Sequence, residues 1–116
     1  MIRLTALCLA SLAMAACMTA QPAPARLDEM TPASREALSR ALAQAVGRAS
    51  VQLGPLDLTR EPAISVLPPQ PGPLEGASLA MPELFELVVM DARCYVRRNS
   101  DRKLFPVEGL TCRPIS

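Results

Sequence analysis

Four prolines in six residues, Pro68-Pro69-Gln70-Pro71-Gly72-Pro73, cut this chain into two parts. A ring-locked φ and the missing amide hydrogens bar that stretch from a helix or a central strand, so it reads as an extended, polyproline-like connection on the surface. A ligand for an aromatic groove is the other use of such a run. Helical patterning lies before the run and the strongest strand patterning after it. A chain of 116 residues holds one small domain at most.

The helix is signalled locally. Thr31 is an N-cap type and Pro32 follows at the first helical position, where its lost amide hydrogen is not needed. Leu38, Leu42, Val46 and Ala49 recur at helical spacing, widened by Ala41 and Ala45, while Arg35, Glu36, Ser39, Arg40 and Arg48 fall away from that stripe. Glu36 stands four residues before Arg40, which favours an ion pair along the helix. Gly47 weakens the end and Gly54-Pro55 stops the helix. An apolar stripe of Ala and Leu without aromatics suits a protein core better than a membrane surface.

Short strands are expected around Val51–Leu53 and Ala63–Leu67, and a longer one over Leu84–Met90, continued by Cys94–Val96. Asn99-Ser100-Asp101-Arg102 is a turn, and Lys103–Val107 returns from it with Pro106 marking an edge or a bulge. Such a turn pairs Arg98 with Lys103 and sets Cys94 opposite Val107, five residues short of Cys112. Cysteines join only when their Cα atoms lie within about 7 Å, so a disulfide requires a bend at Glu108-Gly109 or a wider turn. The bend is the preferred solution, because glycine permits it. The expected fold is α+β: one amphipathic helix packed on a small antiparallel β-sheet, with a C-terminal hairpin and one disulfide.

Residues 1–16 form a separate unit. Arg3 precedes an apolar run from Leu4 to Ala16 broken only by Thr5 and Ser11. That is shorter than the roughly 20 residues a bilayer span needs, and has the charged start, apolar centre and small-residue end of a secretory signal. Its last residues, Met14-Ala15-Ala16-Cys17, resemble the lipobox of bacterial lipoproteins, with Met14 where Leu is commonest. The resemblance covers residues 1–17 only. It implies a diacylglyceryl thioether on the Cys17 sulfur, cleavage between Ala16 and Cys17 by signal peptidase II, and often an acylated amino group. Met18, being non-acidic, goes with sorting to the outer membrane in Gram-negative relatives. Ala13-Met14-Ala15 also fits ordinary signal cleavage, which releases a soluble protein. Residues 17–30, small and proline-containing, read as a flexible tether, and 31–116 as the domain.

The cysteines fit export. Cys8 leaves with the signal and Cys17 takes the lipid, so Cys94 and Cys112 remain for one disulfide in an oxidising compartment. The chain has no His, which removes the usual general base and the commonest metal ligand. No Ser–base pair, carboxylate dyad or phosphate loop stands out, so neither catalysis nor a metal or cofactor is expected. A formal charge of +1 argues against a nucleic-acid binder. Charge is nonetheless divided: residues 17–90 carry five basic and eight acidic side chains, residues 91–116 six and three. Arg97, Arg98, Arg102 and Lys103, with Arg93 and Arg113 nearby, therefore form a basic hairpin suited to an anionic partner. The opposite charges also have the option of meeting within the fold or across a dimer.

The function that follows is a lipid-anchored, periplasm-facing protein of the cell envelope, non-enzymatic and structural or accessory to an assembly. It is held to the membrane through acyl chains on Cys17 and meets an envelope protein or an anionic envelope polymer. The alternative is a small exported binding or inhibitory module that uses the basic, disulfide-stiffened hairpin.

Overall fold

The computed structural model describes residues 21–69 and 80–115. They form β1 (Ala23–Leu27), α1 (Pro32–Val46), β2 (Ala63–Val66), β3 (Glu83–Met90), β4 (Arg93–Arg98), β5 (Leu104–Pro106) and β6 (Cys112–Pro114). This is the α+β arrangement expected from the sequence: one helix on an antiparallel sheet, with a Cys94–Cys112 disulfide beside a C-terminal hairpin.

Local chemistry sets both ends of α1. The Thr31 hydroxyl accepts a hydrogen bond from the Ser34 amide at 3.0 Å, and Pro32 opens the first turn. At the other end Gly47 adopts φ 69°, and its amide and that of Arg48 donate back to the Gln44 and Ala43 carbonyls. This is a Schellman closure, and it needs a left-handed residue that glycine supplies without a Cβ clash. Gly47 thus terminates the helix rather than weakening it, and Ala49, expected on the apolar stripe, is exposed beyond it. Leu38, Ala41, Leu42 and Ala45 bury the stripe, while Glu36 and Arg40 pair at 3.2 Å in solvent.

β3 is the centre of the sheet. Along one side it pairs with β4, from Phe85 opposite Arg98 to Met90 opposite Arg93. Its other side is shared: β2 occupies the first half, from Val66 opposite Glu83 to Ala63 opposite Glu86, and β1 meets Val88 and Val89 with Pro24 and Ala23. β1 then leaves β3 and pairs with β6, Ala25 to Leu27 against Pro114 to Cys112. Pro24 stands at this switch, and Pro106 and Pro114 lie on the strands at the two ends of the sheet order. Those are the places where a residue without an amide hydrogen costs no interior ladder bond and discourages edge pairing.

Two strands, β3 and β1, separate β4 from β6. On a flat sheet that is about 14 Å. The Cys94 and Cys112 Cα atoms are nevertheless 6.0 Å apart. The sheet therefore curls, bringing β6 back across the face that carries the core. Gly109, at φ 81°, turns the chain as the spacing required, and the Val107 amide donates to the Cys94 carbonyl at 2.9 Å in the expected register. Phe85, Leu87 and Val89 of β3, Val96 of β4, and Ile64 and Val66 of β2 meet the helix in one core. Phe105 closes on Phe85 edge-to-face with centroids 6.4 Å apart.

Four features differ from the sequence reading. The expected tether at 17–30 is not one over Ala23–Leu27, which is β1, with Ala25 and Leu27 fully inside the core. Small residues and prolines can read as a spacer, yet alternation puts Ala25 and Leu27 on one face, and pairing with β6 supplies the hydrogen bonds a lone segment lacks. Leu58, in a turn held by the Asp57 side chain, fills the core, and its carbonyl accepts from the Leu27 amide at 2.8 Å. Asp91 and Ala92, at φ 52° and 62°, form a two-residue hairpin turn between β3 and β4. Both residues are left-handed there, as the type that matches strand twist demands. The expected strand at Val51–Leu53 reduces to a single bridge from Leu53 to Val66. The polyproline connection and the signal segment lie mainly outside the described residues.

Candidate functional site

The turn between β4 and β5 lies at the end of the sheet where β3 begins, and the Asn99 amide donates to the Leu84 carbonyl there. Its register sets Val96 opposite Phe105 and Arg97 opposite Leu104, and the Arg98 amide donates to the Lys103 carbonyl at 2.9 Å. The turn between them is tight. Asp101 accepts from the Lys103 amide at 3.1 Å, and Arg102 sits at φ 63° with its amide bonded to the Arg98 carbonyl.

Of the four cations expected to face a partner, two are used inside the molecule. Arg97 is directly opposite Glu86 across the β3–β4 ladder, and its guanidinium pairs with that carboxylate. Its side chain is 12% exposed. Arg98 is held more extensively. Its Nε lies 2.8 Å from Glu83 and its Nη1 3.1 Å from Asp101. Its Nη2 donates to the carbonyl of Ala45 in the last turn of α1. The guanidinium also stands over the rings of Phe105 and Phe85, 5.1 and 5.8 Å from their centroids. A planar fork with several donors suits that position, and a cation at a helix C-terminus meets the negative end of the dipole. Arg97 and Arg98, expected to meet an external anion, have counter-ions within the fold: Glu86 for Arg97, and Glu83 with Asp101 for Arg98.

Arg102 and Lys103 are placed as expected, exposed at the turn. Neither forms an ion pair among the described residues, and the Lys103 ammonium leans toward Phe105, 5.6 Å from the ring centroid. The divided charge of the chain is thus resolved in part within the fold, for three of the six cations after residue 90. Arg97 meets Glu86, Arg98 meets Glu83, and Arg113 meets Asp28 at 3.0 Å, each a late cation against an earlier acid. A signal for two of these pairs lay in the sequence. Had Asp91-Ala92 been read as a turn, Glu86 would have fallen opposite Arg97 and Glu83 diagonal to Arg98. No local pattern pointed to Ala45, 53 residues from Arg98.

Beside the turn lies a groove of about 350 Å³ between Pro82, Glu83 and Leu84 on one wall and Asn99 and Ser100 on the other. In the turn itself, the Asp101 carboxyl is held below the usual aspartate range, chiefly by the Lys103 amide, against the opposing effect of desolvation and with help from Arg98. Cys94 and Cys112 are joined, as expected. Cys17, the expected lipid attachment, lies outside the described residues. Among the described residues no group of three or more His, Cys, Asp or Glu is arranged to hold a metal ion, and no helix is long and apolar enough to cross a membrane.

Compared with known proteins, the chain matches no family model, no curated protein and no solved structure.

Proposed function

We propose that this chain is a small, exported, non-enzymatic binding module, stiffened by its disulfide and presenting the β4–β5 turn to an anionic partner. The Cys94–Cys112 bond carries the reading: both cysteines of the described residues are consumed in one crosslink, and such bonds persist in oxidising compartments and are rare in the cytosol. The exposed Arg102 and Lys103 supply the contact, since Arg97 and Arg98 beside them already have counter-ions. Alkylation and mass analysis of the chain recovered from its native cells test this. The expected result is Cys94 and Cys112 inaccessible to alkylation until a reductant is added; free thiols at both positions in untreated material would overturn export.

A second reading adds a lipid anchor at Cys17, favoured by Met14-Ala15-Ala16-Cys17. Acyl chains there would hold the module on the periplasmic side of a membrane, the outer one in a Gram-negative cell. With β1 beginning at Ala23, the link from Cys17 reaches about 20 Å at full extension, so the domain would ride close to the bilayer. Cys17→Ser should abolish incorporation of labelled fatty acid and move the protein out of the membrane fraction. Unchanged membrane association, with no label in the parent chain, would remove the anchor and leave the released form.

A further inference from the structure

We infer that Arg102 is the anchor of the β4–β5 turn, its guanidinium pairing with a carboxylate on the face of a partner protein. The inference rests on the binding-module reading and narrows it to one residue and one ligand group. Arg102 closes the turn at φ 63°, a left-handed conformation that any residue with a Cβ adopts at a cost and glycine adopts freely. Nothing inside the fold offsets that cost. The side chain is exposed and makes no hydrogen bond or ion pair among the described residues.

Ala92 holds the same conformation at φ 62°, so strain alone selects no function. Arg102 differs in carrying an uncommitted guanidinium on a rigid mount. Its own amide is bonded to the Arg98 carbonyl at 2.9 Å, and the next amide, that of Lys103, to the Asp101 carboxylate at 3.1 Å. A backbone already fixed has less freedom to lose on binding. An outlier that weakens the fold and displays a free functional group points to a use outside the fold.

The surroundings select the partner. Arg97 and Arg98 are paired with Glu86, Glu83 and Asp101, and the Lys103 ammonium leans over Phe105. The turn therefore offers one free guanidinium instead of a basic patch. A polyanion draws on the field of many cations, whereas a single planar fork matches a single carboxylate in two parallel hydrogen bonds. A lipid phosphate has oxygens for the same fork, but position is against it. The chain enters the domain at Ala23, opposite Val89, while the turn is bonded to Leu84 through the Asn99 amide. Five residues of β3, about 17 Å, separate those ends, so a bilayer holding the chain by its N-terminal side would lie away from Arg102.

The test titrates the full chain, purified as Cys17→Ser with its disulfide intact, with a synthetic peptide of alternating Asp and Gly. The same peptide with Asn for Asp, and vesicles of phosphatidylglycerol, are the other probes. Nitrogen-15 spectra should show the acidic peptide moving the Arg102 Nε–H and the Asp101–Lys103 amides more than the Nε–H of the exposed Arg35 and Arg93. Arg102→Gly should weaken the peptide about fivefold, the loss of one exposed ion pair, and should raise the urea midpoint. Ala92→Gly should raise the midpoint equally and leave the affinity unchanged. Arg93→Gln removes the same charge at the other end of β4 and should also leave the affinity unchanged. Absence of binding, an unaltered affinity or a lowered midpoint for Arg102→Gly, an equal loss for Arg93→Gln, or preference for the Asn peptide or the vesicles would each overturn the assignment. Cys94 and Cys112 would still be found joined in that case, so failure at Arg102 is distinguishable from failure of the exported-module reading.

Discussion

The two ends of β4 are fastened by different physics. At Cys94 the strand is bonded covalently to β6, and the crosslink holds a curled sheet closed across two intervening strands. At Arg98, four residues on, it is held by two carboxylates, two aromatic faces and the last turn of the helix. The covalent end acts mainly by limiting the unfolded chain, so salt and pH leave it nearly untouched. The charged end gains its strength in the folded state and is open to screening, most of all toward Asp101, which is 48% exposed. A small domain thus has one condition-independent fastening and one that responds to its surroundings, and the responsive one sits next to the proposed docking turn.

Breaking the covalent end should cost most. The crosslink closes a separation of 18 residues, worth about 3 kcal/mol in the chain-entropy picture. Cys94→Ala with Cys112→Ala, followed by urea unfolding, should show that loss and leave the salt dependence of stability as it was. Arg98→Met keeps much of the packing between Phe85 and Phe105 but abandons Glu83, Asp101 and the Ala45 carbonyl. A loss of about 2 kcal/mol is expected, reduced from the fully buried case because Glu83 is 39% exposed. Unlike the cysteine variant, it should flatten the response of the unfolding midpoint to salt. If both variants respond to salt alike, the contrast between the ends is wrong.

Smaller changes sharpen the comparison. Ala92 holds φ 62° in the β3–β4 turn, beside the covalent end. Ala92→Gly relieves a left-handed conformation that a Cβ disfavours and should stabilise by about 0.5–1 kcal/mol, read as a higher urea midpoint. Acid should act on the other end. Asp101 is held below its ordinary value of 3.8, first by the Lys103 amide and also by Arg98. A carboxyl whose pKa is lowered by folding contributes fully above its unfolded value, and that contribution disappears as pH falls through the folded one. Hydrogen exchange at the Lys103 amide should therefore speed up relative to Val96 as the solution is taken below about pH 4. A tip whose protection did not change over that range would show that Asp101 does not hold the turn.

What was legible in the sequence was whatever depended on near neighbours. Thr31-Pro32 opens a helix because caps act within one turn, although its end was expected at Gly54-Pro55 and falls at Gly47, and the Asn99–Arg102 turn fixed the register that sets Cys94 opposite Val107. The bend at Gly109 followed from the reach of a disulfide. The candidate site was legible only in part: the basic residues of the hairpin were visible, but not which were already paired. Missing the two-residue turn at Asp91-Ala92 hid Glu86 from Arg97, because alanine at a left-handed position carries none of the usual turn signature.

The sequence by itself determined the capped helix, the C-terminal hairpin with its register, and the cysteines left over to be joined, all set by backbone constraints that act over a few residues. Only the tertiary structure decided that Ala23–Leu27 is a strand, that Leu58 fills the core, and that Arg98 secures the helix end while Arg102 and Lys103 stay outside. Those outcomes depend on surfaces and counter-charges brought together from distant parts of the chain, and a segment of small residues or a run of arginines has no fixed role until those partners are in place.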